Sequence, residues 1–275
     1  MNADIFSISG ILYLAAMVCY LFYLLSKKNL AGAAATFLMI SGALCGVISF
    51  VLRYKYYYKT METGLFLSFP VTNMFESVHF CILCTIVIYL VYEFRRKNKF
   101  AGLFVASVAG IGILSISLSN FSGEPALFVP ALQSYWLLAH VLLSFVSYAC
   151  FVVAAGLGVV ILVSFNKHSA KQQDEYVKNI KIFVSAGFVL FTIGGLIFGA
   201  IWANSAWGRF WSWDPKESWA FITWCVYLLF IHLLRRKWPS NKMTAVFSVC
   251  GLIVVLFTFL GVNILLSGLH SYGNS

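Results

Sequence analysis

Runs of about 20 apolar residues return along the whole length of this chain, and no other feature limits its fold so tightly. Twenty residues coiled at ~1.5 Å each cross the ~30 Å hydrocarbon core of a bilayer. Eight such runs can be marked: 5–26, 30–52, 73–94, 100–118, 135–166, 180–202, 216–235 and 243–267. They predict an all-α polytopic membrane protein of about eight transmembrane helices. Composition removes the soluble alternative. The chain has 275 residues, 61% hydrophobic and 10% charged, where a soluble domain carries about 25% charged residues. A single integral membrane domain is expected over 1–275, with four spans in 1–118 and four in 119–275. The first run starts polar and acidic, from Met1 to Asp4, and lacks a basic leader, so it reads as a span rather than a cleaved signal.

The net charge is +10. On a soluble chain that would suggest nucleic acid. Here the cations sit in short loops between spans, so no nucleic-acid partner is expected. The odd-numbered loops hold 14 Lys and Arg and the even-numbered loops 5, with Arg53, Lys55 and Lys59 counted in the second loop. By the positive-inside rule both termini lie outside the cytoplasm, and so does the loop after the sixth span. The loop from Asn166 to Lys181 reads as polar and cytoplasmic. The seven cysteines are scattered through apolar runs and show neither a disulfide framework nor a zinc spacing. Cys81 and Cys84 form a C-x-x-C inside an apolar helix, where a redox role is not expected.

Six of the eight tryptophans fall within 202–224: Trp202, Trp207, Trp211, Trp213, Trp219 and Trp224. An interfacial aromatic belt accounts for one or two of these, but not for six. They read as a platform for a large, flat, partly apolar guest. Asp214, Pro215 and Glu217 read first as N-cap, N1 and N3 of a capping-box helix start. That start would hold Trp207, Trp211 and Trp213 on a loop beside a rigid helix. Arg209 and Lys216 are cations suited to carboxylate or phosphate groups.

The five histidines sort by depth. His140 lies near the outer end of the fifth run. That run, 135–166, is 32 residues long, about 48 Å of helix, so its outer end should project. His270 follows the outer end of the eighth run. Neutral imidazole is a common axial ligand of haem iron. Two imidazoles on the same face as the tryptophans would suit a bis-histidine haem site. His232 lies inside the seventh run, about 6 Å from its inner boundary by helical rise. An ionisable group at that depth points to function, and no second histidine of this chain lies there, so a metal partner would come from another chain. His79 reads as a structural polar residue and His168 as solvated loop.

The segment from Trp207 through Trp211, Trp213, Asp214, Pro215, Lys216, Glu217 and Trp219 to Trp224 resembles the tryptophan-rich "WWD" motif of haem-handling membrane proteins. It resembles most closely the CcsA (ResC) family of System II cytochrome c biogenesis. Pro130 to His140, Asn263 to Gly273 and Tyr227 to His232 are similar to the segments bearing that family's two external histidines and its intramembrane histidine. The similarity runs through 120–273, with weaker agreement at Asn73 to Ser77. The first 70 residues agree only in hydropathy.

The resemblance implies a haem-handling core in 119–275. Haem b would be held on the extracytoplasmic face by His140 and His270, beside Trp207, Trp211, Trp213, Asp214 and Trp219. His232 would join a ligand from a CcsB-type partner at an inner site. Haem would be presented, reduced, to the Cys-x-x-Cys-His segment of an apocytochrome c, whose thiols form thioether bonds with the vinyl groups. Thiol reductant proteins are possible further partners, and the expected location is the cytoplasmic membrane. Rival readings are a CcmC-like chaperone that hands haem on without attaching it, a cytochrome b-like electron carrier, and a non-haem transporter. Eight spans and His232 favour the CcsA family over CcmC, and the histidine spacing disfavours the electron carrier.

Overall fold

A computed structural model describes residues 2–60, 66, 68–71, 73–118, 132–164, 169–236 and 239–266. Among these residues the regular structure is helical: α1 (Asn2–Ser26), α2 (Asn29–Thr60), α3 (Met74–Arg96), α4 (Gly102–Leu118), α5 (Tyr135–Val163), α6 (Ala170–Phe191), α7 (Gly199–Trp207), α8 (Pro215–Arg235), α9 (Asn241–Leu256) and α10 (Val262–Leu265). A π turn, Thr192–Phe198, joins α6 to α7, and a second, Phe257–Gly261, joins α9 to α10. The α6–α7 and α9–α10 pairs are therefore single rods. Seven segments are long and apolar enough to cross a membrane, and α4 is a shorter apolar helix of 17 residues. This is the expected architecture, since in hydrocarbon a backbone must satisfy its own amides.

The chain divides into two compact units, 1–138 and 139–275. In the first, α1 packs on α2 and α4, and α3 packs on α2 and α4. Lys27, in the left-handed region at φ 57°, turns the chain sharply from α1 into α2. Small residues admit the neighbouring helix: a Cβ on Gly42 would lie 2.5 Å from the Tyr13 ring. Two buried carboxylates on α3 staple the unit. Glu76 accepts from Arg53 Nε and Tyr57 Oη at 2.5 and 2.6 Å. Glu93 accepts from Tyr20, Tyr89 and Thr36 and pairs with Lys99. His79 is buried against Phe6, ring centroids 4.1 Å apart, as a core residue would be.

Two features differ from the expected loops. Arg53, Lys55 and Lys59 are helical, because α2 continues to Thr60, and Arg53 is buried on Glu76 rather than exposed to solvent. The supposed loop Asn166 to Lys181 is helical from Ala170, started by a capping box between Ser169 and Gln172. Its polar residues are not a loop signal, because they alternate with buried Gln173, Tyr176, Val177 and Ile180 at helical spacing. His168 lies outside the described residues.

In the second unit α5 is the most enclosed span, and the other helices pack around it. Phe151 stacks on Tyr227 of α8 at 3.6 Å, Tyr148 meets Phe191 of α6 at 5.8 Å, and Phe145 meets Phe259 at 5.2 Å. Ser147 Oγ donates to the Gly187 carbonyl at 2.7 Å. These contacts fix the rotation of α5 and thereby the side of it that carries His140.

Candidate functional site

Asp214 caps α8 as its sequence predicts. Its Oδ1 accepts from the Glu217 N–H at 3.0 Å, Glu217 Oε2 reaches back to the Asp214 N–H at 3.4 Å, and Pro215 occupies N1. Glu217 Oε2 also accepts from the Ser212 N–H at 2.7 Å, drawing the preceding loop onto the helix end. That loop is only 208–214. Trp207 is not part of it: it is the last residue of α7, which ends at Gly208 in the left-handed region, φ 75°. Trp213 holds a positive φ, 58°, which is unusual for a bulky residue and costs roughly 1–3 kcal/mol. It is 66% exposed, with its ring edge-on to Trp211 and Phe221.

Beside this helix start lies a partly open pocket of about 60 Å3. His140, Trp211, Lys216 and Glu217 line it, with Tyr148 and Phe191 as aromatic wall and Gly195, Gly199 and Ala200 as a floor of small residues. The imidazole of His140 is held on three sides. Its Nδ1 lies 2.8 Å from the Gly194 carbonyl in the first π turn. Gly199 presents no side chain: a Cβ there would lie 3.0 Å from ring atoms Cε1 and Nδ1. Trp202 stacks nearly parallel, centroids 6.1 Å apart and planes at 14°. Lys216 Nζ donates to Asn263 Oδ1 at 2.9 Å. Two buried polar atoms of the pocket residues, Trp211 Nε1 and Glu217 Oε1, have no hydrogen-bond partner among the described residues.

The structure thus gathers His140 and Trp211 from the expected set and adds Lys216 and Glu217. Trp207, Trp213, Asp214 and Trp219 lie around the pocket rather than in its wall. Trp207 packs on Trp202 at 4.9 Å and Trp219 on Phe257 at 4.3 Å. The Trp219 carbonyl accepts from Thr223 and Thr258. His232 is exposed on α8, in a stripe with Cys225, Leu228 and Leu229, 15 residues from Glu217. By helical rise it sits about 23 Å along the axis from the pocket. His270 lies outside the described residues. Among the described residues no three His, Cys, Asp or Glu side chains gather to hold a metal ion.

Residues 71–270 match the family model described as cytochrome C assembly protein, which sets the class of this chain. Its relatives within that class include CcsA cytochrome c biogenesis proteins. The CcsA cytochrome c biogenesis protein of Chlamydomonas reinhardtii is 36% identical over 217 residues, covering 74% of this chain and 61% of that one. CcsA of Marchantia polymorpha is 33% identical over 253 residues, covering 74% of this chain and 79% of that one. CcsA of Prochlorococcus marinus is 34% identical over 244 residues, covering 74% and 76%. The chain belongs to the CcsA family of cytochrome c biogenesis proteins. Its fold is shared with a solved structure described as cytochrome c heme lyase CcmF, at a TM-score of 0.74 and 14% identity, covering 94% of this chain and 46% of that one. The chain therefore spans about three fifths of the Chlamydomonas relative and under half of the solved chain.

Proposed function

We propose that this chain binds haem b and presents it for attachment to apocytochrome c, as the CcsA subunit of a cytochrome c synthase with a CcsB-type partner. The observation that carries the reading is the imidazole of His140 in an aromatic-walled pocket, its Nδ1 held by a carbonyl. A carbonyl can only accept, so Nδ1 carries the proton and Nε2 keeps the lone pair an axial ligand needs. Three other observations fit a porphyrin. Trp211 lines the pocket with an indole, and the buried rings of Tyr148 and Phe191 back it. The indole N–H of Trp211 is a donor without a partner among the described residues. Lys216 supplies a cation for a carboxylate side group.

Bound haem would supply the vinyl carbons that receive the thiols of a Cys-x-x-Cys-His segment. The chain's own residues do the rest: His140 orients, the aromatic wall excludes water, and Lys216 fixes the polar edge. His270 is the proposed second axial ligand. His232, exposed on α8, is the proposed ligand of an intramembrane site completed by the partner. The pocket is proposed to face the outside of the cytoplasmic membrane.

The test is purification with and without the partner, followed by pyridine haemochrome and absorption spectra. His140→Ala and His270→Ala should each lose haem from the outer site, and His232→Ala should load that site less. Wild-type haem content and reduced spectra in His140→Ala and His270→Ala would overturn the ligand reading. Haem binding with no thioether formation on a co-expressed apocytochrome would favour a chaperone instead.

A further inference from the structure

We infer that the π turn Thr192–Phe198 is the positioning device for His140, and that Trp202 and Trp224 serve that device rather than the guest. The inference deepens the haem reading and, in its bearing on haem, rests on it. Its first claim, the ring tautomer, concerns the protein alone.

In an unbroken α-helix the Gly194 carbonyl would accept from the N–H four residues on. In the π turn it accepts from the Gly199 N–H, five residues on. The widened turn brings the same oxygen within 2.8 Å of His140 Nδ1. Such widened turns are uncommon and often mark functional sites. Here the glycines give it a reason. A Cβ on Gly194 would stand 2.4 Å from Leu143 Cβ and 3.0 Å from the Ser144 nitrogen, so only glycine lets α5 come this close. A Cβ on Gly199 would press on the imidazole itself. The turn is pinned at its start, where Trp224 Nε1 donates to Thr192 Oγ1 at 3.0 Å. It is closed at its far end by Trp202 stacked on the His140 ring. Two of the six clustered tryptophans are thereby committed to holding a histidine.

The consequence for a ligand is general. A histidine that donates its second ring N–H to a fixed acceptor is locked in tautomer and direction and is the more basic for it. Removing such an acceptor weakens metal affinity about 10–100-fold.

The test has two parts on the full-length chain in lipid bilayers. First, histidine is labelled with 15N, and the His140 signal is assigned by difference from His140→Ala in haem-free samples. The expected signature is a neutral ring protonated at Nδ1; a ring protonated at Nε2, or a doubly protonated one, overturns the inference. Second, haem is titrated into wild type, Gly199→Ala and His140→Ala. Gly199→Ala should bind about 10–100-fold more weakly and shift the haem midpoint potential positive, because the ligand becomes less basic. Wild-type affinity and potential in Gly199→Ala, with His140→Ala defective, overturns the positioning role and leaves the ligand reading standing. Wild-type binding in His140→Ala overturns both.

Discussion

In the first unit, Glu93 has both carboxylate oxygens occupied, one by Tyr20 and Tyr89 and the other by Thr36 and Lys99. In the second unit, Glu217 is just as buried, yet its Oε2 takes three donors while Oε1 takes none among the described residues. Both carboxylates lie near helix ends in an apolar chain where an unmet charge is costly. The difference is one of completeness. A closed network ties helices together and needs nothing from outside. An open one keeps a bonding position that no described residue fills and that a guest could take. Glu76 with Arg53 and Tyr57 belongs to the first kind, and Trp211 Nε1 to the second.

Substitutions at three positions test that division. Arg53→Leu leaves the carboxylate of Glu76 buried without its cation and should cost about 3–5 kcal/mol, read by thermal unfolding in detergent. A folded Arg53→Leu protein with altered haem binding would break the division, since a closed network should affect stability alone. Trp213 offers a subtler contrast, because its backbone is strained while its ring is exposed. Trp213→Gly should be about 1 kcal/mol more stable than Trp213→Ala, since only glycine relaxes the left-handed residue. Equal stabilities would mean that the backbone angle is not set by the loop. Glu217→Gln should have the smallest effect on stability, under about 1 kcal/mol, because Gln also serves at N3 of a capping box. It should still change haem affinity, measured by titration. Unchanged affinity would place the free oxygen among structural features.

The eight apolar segments were legible because hydropathy over about 20 residues needs no knowledge of neighbours. The start of α8 was legible too, since a capping box is written in four consecutive residues. What could not be read was anything dependent on phase or on distant partners. The polar first turns of α6 resemble a loop until their buried residues are counted at helical spacing. Arg53 looks like one more loop cation until Glu76, 23 residues away, is seen to pair with it. Glu217 read only as part of a helix start and Lys216 as a cation suited to carboxylate or phosphate groups, and their place in the pocket wall depends on α5 and α10 arriving beside them. For Gly194 and Gly199 the sole sequence signal is a pair of glycines in an apolar run, which most often means nothing more than close packing.

The π turn also sets a phase. Each residue of an α-helix advances the side-chain direction by about 100°. The turn holds one residue more than the helix needs, so Gly199–Trp207 emerges rotated relative to the course α6 alone would have taken. Deleting a single residue from Thr192–Phe198 would restore an ordinary helix and leave the span long enough to cross a bilayer. It would also swing Trp202, Trp207 and the glycine floor roughly a quarter turn away from His140. Chain length in this segment is thus under a tighter constraint than its plain apolar composition suggests.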